Sequence, residues 1–247
     1  MKHPLPTLAL LSLTSLAAQA QTQFRFGPQG GYTLSSATYH VADYPSYIST
    51  SGKFGSGFTA GLVAQVDLGN LFSLQPAVHY VRRTPRIDDN SYYQPNNYYY
   101  NQHYEFRLDY LSVPVNLLYS EHGHGKGFQV FAGPYLAFLL GGKYTSAISA
   151  GYGGPSNGRV FAGNVVAGDT YATSSRDTNY YSRRLDYGVQ AGVGYGLPVV
   201  QLQFSFNYGL RDIGAAYAAN AGNTFAAPVI HNYGFQLAAS YLFGPKS

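Results

Sequence analysis

Histidines and carboxylates that stand close together in the sequence are the first side chains that could bind a metal ion. Glu121, His122 and His124 share one short Gly-rich segment, and imidazole and carboxylate are both ligands of Zn²⁺. Two histidines without a third convergent ligand are weak evidence, and a polar turn between two strands explains them better. The Asp-Asp-Asn run at 88–90 lacks the length and glycine placement of a Ca²⁺ loop. We therefore predict no metal and no cofactor.

Nucleotide binding and nucleophilic catalysis have no better support. Glycines alternate at 192, 194 and 196, but a dinucleotide loop needs a helix after it, and here Pro198 follows. His40, His103 and His231 could each activate a nucleophile, yet no spacing joins them to one. The absence of cysteine excludes disulfides, iron–sulfur ligation and cysteine nucleophiles. We predict that the protein is not an enzyme.

The segment 200–211, VQLQFSFNYGLR, shows what kind of element positions the side chains. Its even positions are all apolar, and its odd positions, which include Arg211, are all polar or glycine. Only a strand separates residues at period two, because successive side chains point to opposite faces. The segment is longer than the usual soluble strand. It fits the ~9–11 residues of a tilted strand that crosses a bilayer.

Seven other segments repeat this alternation. The predicted strands are 24–35, 54–68, 71–82, 105–119, 127–141, 184–197, 200–211 and 231–243. The connections alternate between long and short, and a soluble sandwich has no reason to sort loops by side. Outer-membrane barrels have short periplasmic turns and longer extracellular loops. We predict an all-β fold, an eight-stranded antiparallel up-and-down transmembrane β-barrel.

Two long connections and one irregularity complete the predicted topology. Segment 83–104 is rich in Tyr and Asn without apolar periodicity and is predicted as a loop. Segment 142–183 is the longest connection, with a short hairpin near 159–166. The apolar residues of the fourth strand change phase near Tyr110, which predicts a β-bulge.

The N-terminus and the charge balance indicate the destination of the chain. Lys2 and His3 precede an apolar run that ends in the small-residue site Ala18-Gln19-Ala20, as in a secretory signal peptide. We predict a signal peptide at 1–20 and a barrel at 21–247, located in the bacterial outer membrane. The formal net charge is +4 with scattered basic residues, so we predict no nucleic-acid partner.

Short motifs recur in order along the predicted strands. They are Phe26-Gly27 to Gly31, Leu74-Gln75-Pro76, LDYLSVP at 108–114, FAGPY at 131–135, Asp186-Tyr187-Gly188, Tyr208-Gly209-Leu210 and SYLF at 240–243. In these motifs the chain resembles the PorT-like outer-membrane β-barrel family of Gram-negative bacteria, often labelled "porin family". The resemblance implies an eight-stranded barrel, and one founding member is associated with secretion and surface attachment. It carries over no catalytic motif.

Polar and charged residues of the strands are predicted to lie in two places. A small barrel is just wide enough for side chains to fill its interior. The residues predicted to face this lumen are Arg25, Gln29, Asp109, Asp186, Gln190, Gln201, Gln203, Asn207, Arg211 and Gln236. A rim that contacts lipopolysaccharide phosphates is predicted at the strand ends, because Arg side chains pair well with phosphate. Its residues are Arg82, Arg83, Arg183 and Arg184.

The predicted function follows from this arrangement. We expect a monomeric, non-enzymatic barrel that contacts outer-membrane lipid and lipopolysaccharide, and envelope or secretion proteins through its Tyr/Asn-rich loops. Three alternatives stay open: a barrel enzyme that acts on lipid or peptide, a periplasmic lipocalin-like carrier, and a narrow pore.

Overall fold

A computed structural model describes residues 23–42, 45–154, 158–171, 176–217 and 226–244. The strands are β1 (Phe24–His40), β2 (Ile48–Lys53), β3 (Gly55–Asp67), β4 (Phe72–Arg83), β5 (Arg86–Tyr93), β6 (Tyr98–Ser120), β7 (Gly127–Tyr152), β8 (Arg159–Ala167), β9 (Tyr180–Ser182), β10 (Leu185–Gly196), β11 (Val200–Gly209) and β12 (Val229–Tyr241). Among these residues no helix is long and apolar enough to span a membrane. The predicted signal peptide lies outside the described residues.

Eight of the strands form a closed ring. The order around it is β1, β3, β4, β6, β7, β10, β11 and β12, and every neighbouring pair is antiparallel. Each ring strand corresponds to one predicted strand. The predicted count of eight therefore holds for the ring but not for the whole fold, because β2, β5, β8 and β9 are additional strands.

The two ends of the ring differ. Connections 68–71, 121–126 and 197–199 are short and define the end called here the turn side. The opposite end, the long-loop side, carries the four additional strands. There β6 and β7 continue beyond the ring as a paired extension up to Tyr98 and Tyr152, which lie opposite each other.

The outer face of the ring is apolar and the inner face is polar. In β11, Leu202, Phe204 and Phe206 are exposed, while Gln201 and Gln203 are buried. Exposed apolar side chains recur in the same way around the ring, for example Phe26, Leu62, Val78, Leu117, Val130, Leu136, Val189, Val193 and Leu237. A continuous apolar surface of this size is typical of a face in contact with lipid.

Segment 83–104 was predicted as a loop, and this prediction is wrong. Its residues form β5 and the long-loop end of β6, which pair antiparallel. Tyrosine rings face each other across the strands: Tyr92 stacks on Tyr99 at 4.5 Å, and Tyr98 contacts Tyr152 at 5.1 Å between centroids. Cross-strand aromatic pairs stabilise these strands although few of their residues are buried, so the usual apolar alternation is missing. The predicted short hairpin near 159–166 is instead a single strand, β8, which pairs with residues 142–148 of β7, and these residues were predicted to belong to the connection.

The irregularity near Tyr110 is confirmed, but its extra residue is on the neighbouring strand. The β6–β7 register shifts between Asp109 and Tyr110, which pair with Gly141 and Leu139 and leave Leu140 without a partner in β6. Strand β6 therefore keeps its phase. Its apolar residues near the long-loop side, such as Phe106, point into the barrel.

Candidate functional site

A charged cluster closes the lumen at the turn side. Asp67 accepts hydrogen bonds from Ser73 Oγ at 2.7 Å and Gln65 Nε2 at 3.2 Å, and its other oxygen lies 2.9 Å from His124 Nδ1. Arg25 donates to the His124 carbonyl. His124 reaches this position because its backbone adopts the left-handed region, with φ of 48°. The turn thus caps the barrel with its own side chain.

Five glutamines cross the lumen above this cluster as a hydrogen-bonded chain. The side-chain amides donate from Gln29 to Gln203 at 3.3 Å, from Gln203 to Gln75 at 3.0 Å, from Gln75 to Gln201 at 2.7 Å and from Gln201 to Gln129 at 2.7 Å. All five are buried. A glutamine carries both donor and acceptor, so a chain of them satisfies the interior of the barrel without any charge.

A buried ion pair lies in the lumen nearer the long-loop side. Arg83 Nη1 donates to Asp186 Oδ2 at 2.8 Å, and the two side chains are 7% and 0% exposed. Asn232 donates to the same carboxylate oxygen at 3.2 Å. The guanidinium stands over the rings of Tyr110 and Tyr135, at 5.1 and 5.6 Å from their centroids. This ion pair links β4, β6, β7, β10 and β12 across the lumen.

Apolar side chains seal the barrel above the ion pair. They form one buried cluster of Ile87, Phe106, Leu108, Tyr110, Tyr135, Ala137, Leu139 and Val165. The lumen below keeps a cavity of about 40 Å³, lined mostly by polar side chains. That volume holds a few water molecules rather than a solute. The barrel is therefore filled from the turn side to the long-loop side.

An open aromatic cup lies on top of this seal, at the long-loop side. Its volume is about 260 Å³. Its rings come from Tyr39, Tyr104, Phe106, Tyr144, Phe161, Tyr171, Tyr180 and Tyr217, and its polar side chains are Gln102, Ser146 and Asn179. Tyr180 is at the centre, with its ring centroid 4.8 Å from that of Phe106 and 5.7 Å from that of Tyr171.

Among the described residues that line the aromatic cup, no side chain is charged. Burial raises the pKa of Tyr104, Tyr171 and Tyr180 above the usual tyrosine range, so these phenols stay protonated. The cup can therefore hold an uncharged group, with ring faces for apolar contact and hydroxyls and amides for hydrogen bonds. No sequence signal predicts the cup, because its tyrosines are far apart along the chain and share no spacing.

Most residues predicted to face the lumen lie inside the barrel. Arg25, Gln29, Asp186, Gln201 and Gln203 are buried there in the contacts described above. The small polar cavity is lined by Gln190, Asn207 and Gln236. Arg211 is half-buried just past the end of β11.

Asp109 was predicted to face the lumen, and this prediction is wrong, because Asp109 lies on the outer face. It accepts hydrogen bonds from Tyr80 Oη at 2.6 Å and Arg82 Nε at 2.8 Å, and Arg82 also stands over the exposed Phe58 ring. The prediction assumed that β6 changes phase at the bulge. Because the extra residue is Leu140 of β7, Asp109 stays in the outward phase of β6.

The four rim arginines do not form one group. Arg82 lies on the outer face, while Arg83 is buried in the lumen, since neighbouring residues of a strand point to opposite faces. Arg183 pairs with Asp212 at 3.3 Å, and Arg184 is exposed just before β10. The prediction that Arg83 contacts lipopolysaccharide is therefore wrong.

The candidate catalytic and metal-binding residues do not converge. His103 contacts Asp88, and His231 Nδ1 lies 3.1 Å from the Gly209 carbonyl. Within the described ranges no group of three His, Asp or Glu side chains has the arrangement of a metal site. His122 approaches Glu121 at 3.9 Å, whereas His124 turns inward to Asp67.

Three solved structures are similar to this chain over most of its length. Ail of Yersinia pestis, solved in complex with the heparin analogue sucrose octasulfate, is 12% identical, with 90% of this chain and 99% of that chain covered and a TM-score of 0.39. Neisserial surface protein A is 16% identical, with 91% of this chain and 100% of that chain covered and a TM-score of 0.40. OprG of Pseudomonas aeruginosa is 12% identical, with 92% of this chain and 99% of that chain covered, also with a TM-score of 0.40.

The family is shown by the sequence itself. No protein with a curated description matches the chain. Residues 18–214, most of the chain, match the family described as outer membrane protein beta-barrel domain. The chain therefore belongs to this family and is a β-barrel protein of the bacterial outer membrane.

Proposed function

We propose that the protein is a non-enzymatic, monomeric barrel that does not conduct solutes and holds a partner at the cell surface through its long-loop side. The observation that carries this proposal is a filled lumen beneath an open aromatic cup. A pore would need a continuous path, and an enzyme would need convergent catalytic groups. The separated imidazoles do not support an enzyme, and the sealed lumen does not support a pore.

The long-loop side is proposed to face the cell exterior. Outer-membrane barrels place their longer connections outside and their short turns in the periplasm. Four additional strands stiffen these connections, and paired tyrosine rings hold the β5–β6–β7 extension together. A stiffened platform loses less conformational freedom when a partner binds.

The partner is proposed to be an envelope or secretion protein, or its glycan, rather than a nucleic acid. The aromatic cup suits a sugar ring or an aromatic side chain, because both combine apolar faces with polar edges. Other exposed tyrosines of the long-loop side, such as Tyr47, Tyr93 and Tyr152, are residues that protein interfaces favour. A role in secretion or surface attachment, and membership of the PorT-like group, are proposed from the sequence motifs.

Single cysteines test the orientation and the partner surface together. The chain has no native cysteine, so labelling reports only the introduced residue. In intact cells we expect a membrane-impermeant maleimide to label Tyr152→Cys and not Lys126→Cys, which lies in the β6–β7 turn. A photo-crosslinker at Tyr217 should capture an envelope component that the same group at Lys126 does not. Labelling of Lys126→Cys alone would contradict the orientation, and crosslinks only at Lys126 would contradict the partner surface.

A further inference from the structure

Two positive side chains face each other on the outer wall of the barrel. Arg107 of β6 and Lys143 of β7 are direct cross-strand partners, and both are exposed on the outward face. Like charges placed directly opposite destabilise a strand pair. Within the described residues neither side chain forms a salt bridge. These opposed cations are therefore unfavourable unless an anion lies between them.

The surroundings of the opposed cations compensate their charge only in part, because Asp109 attracts Arg107 without forming a salt bridge with it. Two outward grooves, of about 380 and 440 Å³, meet at these two residues. The other cations that line the grooves are each paired with a carboxylate: Arg82 with Asp109 at 2.8 Å, and Arg86 with Glu105 at 3.0 Å. The grooves are lined by four cations and two carboxylates, which leaves an excess of two positive charges. Neither Arg107 nor Lys143 is held in a salt bridge by another described residue, so their long side chains can converge on a ligand.

The position of the opposed cations is the edge of the apolar outer face. Toward the turn side, the next outward side chain in β7 is Leu140, which is 61% exposed and lines the same groove. Below it, Leu111 and Phe138 are cross-strand partners and are also exposed. Toward the long-loop side the wall becomes polar, with Glu105 opposite Thr145. A ligand in this groove would meet charge at one end and hydrocarbon at the other.

We propose that the opposed cations bind the phosphate of a lipid headgroup, with the acyl chains along Leu140 and the apolar wall below. Arg presents a fork of donors that matches phosphate oxygens, and Lys adds a mobile point charge. The proposal rests on the proposed orientation, which makes this lipid an outer-leaflet phosphoglycolipid such as lipid A. The cysteine labelling described above tests that orientation independently of lipid binding.

A double variant tests the site. The barrel in nanodiscs that contain lipid A is analysed by native mass spectrometry for retained lipid. We expect Arg107→Gln/Lys143→Gln to retain lipid A about tenfold less than the unmodified chain, because two charge-assisted contacts are lost. The matched control is Arg159→Gln/Arg176→Gln, which removes the same charge from exposed positions elsewhere on the long-loop side and should retain lipid normally. Equal retention by all three proteins, or equal loss in both variants, would overturn the site.

Thermal unfolding separates a ligand site from a merely structural role. Without phosphate, the Gln variant should unfold at the same or a higher temperature than the unmodified chain, because a repulsion is removed. Lipid A should raise the unfolding temperature of the unmodified chain but not of the variant, and dephosphorylated lipid A should raise neither. An equal rise with inorganic phosphate alone would show a free-anion site and overturn the lipid assignment.

Discussion

Arg83→Met will destabilise the barrel by about 3–5 kcal/mol, because it leaves the Asp186 carboxylate without its partner in the filled lumen. Breaking a buried pair costs more than the pair itself contributes, since the remaining charge has lost both water and counter-ion. Asn232 and Tyr135 still reach the same oxygen, at 3.2 and 3.4 Å, but neither carries a positive charge. The measurement is urea unfolding of the refolded protein, followed by heat-modifiable gel migration.

The adjacent arginine provides a matched control. Arg82 and Asp109 also approach to 2.8 Å, but their side chains are 31% and 26% exposed. Partly exposed pairs contribute about 0–1 kcal/mol, so Arg82→Met should have a small effect. The double variant Arg83→Met/Asp186→Leu should recover most of the lost stability, because no charge is left buried. Similar costs for Arg82→Met and Arg83→Met would contradict the opposite facing of the two residues.

Phe204→Arg will cost about 2–4 kcal/mol of stability in lipid vesicles, because it places a charge near the bilayer midplane. Phe204 lies in the middle of β11, exposed on the outer face and stacked on Phe235 with 5.9 Å between centroids. The cost should appear as a lower urea midpoint for the vesicle-folded barrel.

A residue at a different depth in the bilayer provides the control for this substitution. Tyr208 is on the same outer face, close to the long-loop end of β11. An arginine near the interface costs only about 0–1 kcal/mol, so Tyr208→Arg should be mild. Equal costs at the two positions would contradict the assignment of the outer face to lipid.

The ring strands could be predicted because each has one apolar and one polar face. In β11 the alternation alone separates Phe204 from Gln203, and no knowledge of partners is needed. The same rule failed in β6, because its apolar residues lie on the inner face near the long-loop side, where outward residues such as Arg107 are charged, and on the outer face farther along the strand. Phe106 and Leu108 face the interior seal, while Leu111 faces outward, and periodicity does not tell which of two apolar faces meets lipid.

The functional surfaces depend on contacts between distant residues, which sequence spacing does not reveal. Arg83 meets Asp186 and Arg107 meets Lys143 only because of the strand order and register of the ring. The aromatic cup joins Tyr104 to Tyr180 and Tyr217, which belong to different connections. The Tyr-rich segment 83–104 became strands through cross-strand ring contacts, a stabilisation that leaves no apolar period.

Single-channel recording in planar bilayers tests the closed lumen most directly. The unmodified barrel, inserted at a density confirmed by heat-modifiable migration of the recovered protein, is predicted to give no stable open level across the voltage range. The glutamine chain, the Arg83–Asp186 pair and the apolar seal would all have to move to open a path. A long-lived, uniform conductance step would contradict the filled lumen and, with it, the proposal that the protein is a surface platform rather than a pore.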